Sequence, residues 1–74
     1  MSQSIEKAVQ AWQVYLGSDG TVGVKTAQRL YQSAIRKTER IAADKGMSIQ
    51  NVTDQLCNEA RKRGPITPVP GKHY

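Results

Sequence analysis

The 74-residue chain has no phenylalanine, one cysteine (Cys57), one histidine (His73) and one tryptophan (Trp12). Each scarcity excludes something. A single cysteine cannot close an intramolecular disulfide, and one Cys with one His supplies no zinc-type ligand set. No apolar run approaches the roughly 20 residues that a membrane-spanning helix needs, and residues 1–7 lead into no signal-peptide hydrophobic stretch. A reducing, cytoplasmic setting is expected. Catalysis requires a positioned nucleophile, acid or base in a concave site, and neither a paired constellation nor a glycine-rich phosphate loop is present. The chain therefore reads as a non-enzyme without a cofactor. Cys57 has no histidine near it in sequence and no Cys-X-X-Cys partner, so it reads as a small buried apolar residue.

Acidic side chains are scarce as well: six, against 11 Lys and Arg, for a formal charge of +5. None falls between Lys25 and Lys37. Such an excess favours a polyanion, nucleic acid first, or an acidic protein partner, while the bland account is that the charge keeps a small helical protein soluble. A chain this short buries only about 60 % of its unfolded surface. A homodimer or a hetero-complex is the expected source of further stability.

What is present is helical periodicity. Ser4 can cap a first helix, and Glu6 would sit in its first turn, where the helix dipole favours a negative charge. Ile5, Ala8, Val9, Trp12 and Leu16 then recur at three- and four-residue steps until Gly17. Residues 18–23 carry Asp19-Gly20, a turn signal. Beyond Gly23, the residues Val24, Ala27, Leu30, Tyr31, Ala34, Ile35, Thr38, Ile41 and Ala42 mark one face of a long second helix, with Lys25, Arg29, Arg36, Lys37 and Arg40 largely off it. Gly46 suits a helix C-terminus, Ser48 caps the next helix, and Ile49, Val52, Thr53, Leu56, Cys57 and Ala60 give the third apolar face, which Gly64-Pro65 stops. Three prolines within residues 65–70 favour an extended polyproline-like tail, either a disordered end or an arm laid on a partner, and His73 inside it has no ligand-type neighbour. The expected fold is all-α: a small three-helix domain over residues 1–64, with helices at 4–16, 24–45 and 48–63 and a long central helix, followed by an extended Pro-rich tail at 65–74. Its expected core is Ile5, Val9, Trp12, Leu16, Leu30, Ala34, Ile35, Ile41, Val52 and Leu56.

Two stretches resemble known families. Val9, Trp12-Gln13, Leu16-Gly17, Asp19-Gly20, Gly23 and Thr26 fall in the order of the signature of peptidoglycan-binding domains, though with fewer residues between the Leu and the Asp-Gly. Over residues 38–60, Ala42, Gly46, Met47, Ser48 and Val52 fit the template of helix-turn-helix DNA-binding regulators, where a small residue lets the helices cross and a glycine turns the chain. Lys45 and Gln55 depart from it, standing where apolar residues are usual. The same residues are similar to the helix-Gly-x-Ser-helix core of ribbon-helix-helix repressors, which also need a preceding strand, for which residues 21–26 are the only place. The helix-turn-helix resemblance implies that Ser48, Gln50, Asn51 and Asp54 face base edges and that Arg36, Lys37, Arg40, Arg61, Lys62 and Arg63 hold phosphates. The leading expectation is thus a small basic DNA-binding regulator of the phage or plasmid type. A module or inhibitor docking on an acidic host protein stands second, and a peptidoglycan-binding module third.

Overall fold

The computed structural model describes residues 2–20 and 22–68, which form three α-helices: α1 (Ser2–Gly17), α2 (Val24–Lys45) and α3 (Ile49–Arg63). The all-α architecture and the long second helix are as the periodicity predicts. At about 1.5 Å per residue, α2 runs roughly 33 Å, against a longest molecular dimension of 35 Å. It spans the whole protein.

The start of α1 differs from expectation. Nothing in Ser2-Gln3 stops a helix, so the helix begins at Ser2 and Ser4 lies inside its first turn instead of capping it. Glu6 accordingly falls beyond that turn, and its carboxylate serves a side chain on α3 instead of the helix dipole. The Arg63 guanidinium meets Glu6 in a bidentate pair at 2.7 and 3.0 Å and also donates from Nε to Glu59 at 3.2 Å. This clamp ties the first helix to the end of the last. It holds the Glu6 carboxyl below its ordinary value of 4.5, chiefly through the hydrogen bonds from Arg63 and then through its charge.

The turn between α2 and α3 follows from its residues. Gly46 adopts the left-handed conformation (φ 65, ψ 31) that glycine enters without steric cost. The Met47 N–H then donates to Ala42 O at 3.0 Å and the Gly46 N–H to Ala43 O at 3.4 Å, the paired bonds of a Schellman ending. Two residues on, Ser48 Oγ accepts the Asn51 N–H at 3.2 Å and starts α3.

Packing makes α1, not the longer α2, the hub: it lies against both other helices more extensively than they lie against each other. Residues 11–14 are all buried. Four consecutive positions exceed one helical turn, so α1 is enclosed on every side over this turn. The single stripe read from the sequence is therefore too narrow: Ala8, Ala11 and Val14 join Val9 and Trp12 indoors. The segment after α3 supplies part of the cover. Ile66 N–H donates to Gln13 O at 3.0 Å, and Gln13 Nε2 donates to Gly64 O at 3.0 Å. Gly17 admits this approach, because a Cβ there would overlap the Ile66 backbone. Residues 65–68 are non-helical, as the prolines predict, but they return along α1. The remainder of the expected tail, including His73, lies outside the described residues. Conversely Val24 and Tyr31, read as part of the α2 core face, are exposed.

Trp12 anchors the core between α1 and α2. Its Nε1–H donates to Thr38 Oγ1 at 3.0 Å, and the Thr38 hydroxyl in turn donates to Ala34 O at 2.8 Å. Thr38 is fully buried, and this relay satisfies both side chains.

Two outcomes follow from these contacts. Thr38→Val keeps the shape but leaves a buried indole N–H without an acceptor, which costs about 1–3 kcal/mol; urea unfolding is expected to show a lower midpoint at unchanged slope, and an unchanged midpoint contradicts the relay. Glu6→Gln tests the clamp through pH. Because the folded pKa of Glu6 is depressed, its contribution is present above the unfolded value and lost as pH falls through the folded one. The stability gap between wild type and Glu6→Gln should be widest near neutrality and close in acid, and added salt should narrow it, since both side chains are partly solvated.

Candidate nucleic-acid interface

Residues four and seven apart on a helix share a face. Lys25, Arg29, Arg36 and Arg40 follow one another at steps of four, seven and four, on the side of α2 opposite Leu30, Ala34, Thr38 and Ile41. All four are exposed. Their backbone positions extend over roughly 22 Å at about 1.5 Å per residue. Among the described residues, no ion pair engages any of them. Lys37, between Arg36 and Arg40, is half-buried and turns aside, its Nζ donating to Ser33 Oγ at 2.8 Å.

On α3 the buried residues Val52, Leu56 and Ala60 fix which side faces out. Gln50, Asp54 and Arg61 form one outward row, and Asn51, Asn58 and Lys62 a second beside it; all six are exposed. The structure thus places Gln50, Asn51 and Asp54 on one solvent face together with Arg61 and Lys62. Ser48 sits at the end of that face, where its oxygen is already occupied as a cap. Arg63 is absent from the face. Two carboxylates balance its charge within the fold, so it is no free cation for a phosphate.

The two departures from the helix-turn-helix template have a structural counterpart. Gln55 is exposed while Leu56 turns inward, so the inward position is displaced by one residue. Lys45 is exposed at the rim of a groove of about 350 Å³ floored by Ile5, Val9, Ile41, Val52 and Leu56. No strand occurs among the described residues, and Val24, Lys25 and Thr26 form the first turn of α2, where a ribbon would have to lie. The residues of the peptidoglycan-binding signature are placed as well: Val9 and Trp12 in the core, Gln13 and Gly17 against residues 64–66, and Gly23 at the N-terminus of α2. Each has a packing or turn task in this fold.

Cys57 is half-buried, and burial pushes its thiol up, which suits the apolar role read from its surroundings. Among the described residues, no group of three acidic, Cys or His side chains gathers that could hold a metal ion, and no helix is long and apolar enough to cross a membrane.

Sequence reading missed one cluster. Tyr15 and Tyr31 meet at a centroid distance of 5.3 Å, each edge-on to Trp12 at 5.8 Å. They open onto a shallow cleft of about 470 Å³ that Val24, Ala27, Gln28 and Gln32 complete. Only Tyr31 carried a signal, as an aromatic at the edge of the α2 stripe. No protein-family model, curated protein or solved structure matches this chain.

Proposed function

We propose that the chain is a small DNA-binding regulatory protein that grips phosphates with the outer face of α2 and presents the outer face of α3 to base edges. The observation that carries this reading is the row Lys25, Arg29, Arg36 and Arg40: four exposed cations with no ion-pair partner among the described residues, in a chain of formal charge +5. Ion pairing within the fold consumes Arg63 but leaves these untouched. Arg61 and Lys62 extend the cationic set onto the C-terminal end of α3, on the face whose N-terminal end carries Gln50 and Asn51, whose amides can bond adenine in a bidentate manner. Asp54 on the same face accepts from cytosine and repels misplaced phosphate, which favours register over indiscriminate binding. A homodimer would double the phosphate contacts and read a two-fold site. Docking on an acidic protein partner uses the same cations, and the salt and sequence dependence of binding separates the two.

Six free cations, at about 0.9 counterions per phosphate neutralised, give an expected slope of roughly −5 for log affinity against log salt on duplex DNA. Arg36→Ala with Arg40→Ala should reduce that slope by about two for every sequence alike, whereas Gln50→Ala with Asn51→Ala should leave the slope intact and cost roughly 1–3 kcal/mol only on the preferred site. Absence of duplex binding at low salt, beside a stoichiometric complex with an acidic protein, turns the reading to the second partner class.

A further inference from the structure

The aromatic cleft is not used by the α3 reading, and its composition is unusual for a surface left to water. Val24 is 75 % exposed and Tyr31 44 %, while Tyr15 and Ala27 line the same depression. The two tyrosine rings are held from behind by buried Trp12, so their outward faces are fixed in advance. A ligand that stacks there meets side chains already ordered, which lowers one of the costs of binding.

What fits the cleft is set by what borders it. Around α2, at 100° per residue, Val24 and Tyr31 lie on one side, Gln28 and Gln32 come next, and Lys25, Arg29 and Arg36 follow. On the α2 side the order is therefore aromatic, amide, cation, while Ser18 and Asp19 border the other side. A nucleotide has the same order: a flat π-face, polar base edges, then a phosphate. Stacking on an aromatic ring is tolerant of base identity, cations track the backbone, and the two together are the working parts of single-strand binding. In a duplex the π-faces are occupied by neighbouring bases and cannot reach a ring.

We propose that the Tyr15–Tyr31 cleft is a site for an unpaired nucleobase, with Gln28 and Gln32 on its edge and Lys25 and Arg29 on the adjoining phosphates. It rests on the chain binding nucleic acid, and adds single strands or strand ends to what α2 engages.

Anisotropy titrations of the full chain with a labelled oligodeoxythymidylate and with a labelled duplex test it. Tyr31→Leu keeps apolar bulk but removes the π-face. It should weaken single-strand binding by roughly 10-fold, within the range for loss of one base–aromatic stack, and leave duplex binding unchanged. Tyr31→Phe should bind like wild type. Circular dichroism confirms that each variant is folded, and the paired Gln28→Ala and Gln32→Ala, both exposed, give a second reading independent of core packing; they too should weaken the single strand alone. An unchanged single-strand affinity in both Tyr31→Leu and the glutamine pair overturns the proposal. So does sedimentation in which Tyr31→Leu converts a dimer to a monomer without altering oligonucleotide affinity, because the cleft is then covered by a second copy. Duplex binding with no single-strand binding sinks this inference alone; failure of both probes sinks the DNA-binding reading with it.

Discussion

The hydrogen bond from Trp12 to Thr38 is the constraint on which the arrangement of the helices depends. A tryptophan in a core built largely of alanine and valine fills most of the available width, so the helices must pack around it. Its indole N–H cannot be buried without an acceptor. The one it has is a threonine midway along α2, itself bonded back to Ala34. This fixes α2 both lengthwise and in rotation against α1. Once Thr38, Ala34 and Leu30 point inward, helical geometry obliges Lys25, Arg29, Arg36 and Arg40 to point outward. The cationic face is thus a consequence of where one indole finds its acceptor.

The same ring shapes the surface nearby. Trp12 packs nearly perpendicular to two tyrosines, Tyr15 half-buried and Tyr31 exposed, at the margin of the core. Small residues elsewhere let the helices close: Ala8, Ala11, Ala34, Ala42 and Ala60 are all buried. The chain after α3 then covers the flank that neither neighbouring helix reaches, and the absence of a side chain at Gly17 admits it. In so small a domain this added cover matters, since a core of this size alone rarely contributes more than about 3–5 kcal/mol.

Local signals made most of the fold legible in the sequence. Gly46 and Ser48 mark the α2–α3 turn because their conformational and capping preferences act within a few residues, and the long α2 follows from an unbroken period. What stayed hidden required knowledge of distant neighbours. The enclosure of Gln13 and Val14 depends on segments far along the chain, and the loss of Arg63 to Glu6 joins residues 57 positions apart. Nothing in the run Arg61-Lys62-Arg63 distinguishes the one cation that a carboxylate claims. The tyrosine cleft was hidden for a related reason: periodicity assigns Tyr31 and Val24 to an inward stripe, whereas at 100° per residue they lie on its flank, where both are exposed.

The placement of charge on α2 is costly to the fold and so bears on function. Lys25 with Arg29, and Arg36 with Arg40, are like charges one turn apart, each pair destabilising a helix by roughly 0.2–0.5 kcal/mol. Lys25 also stands at the positive end of the helix dipole, where an acid is preferred; the first turn of α2 holds no acidic residue, and Gly23 provides no side-chain cap. Each of these choices weakens α2 where a glutamate or aspartate would strengthen it. The Lys25–Arg29 repulsion and the uncapped N-terminus share one remedy, an anion drawn from outside the fold to the N-terminal half of α2. A phosphate there would relieve the repulsion between Lys25 and Arg29, satisfy the dipole, and stand beside the exposed ring of Tyr31.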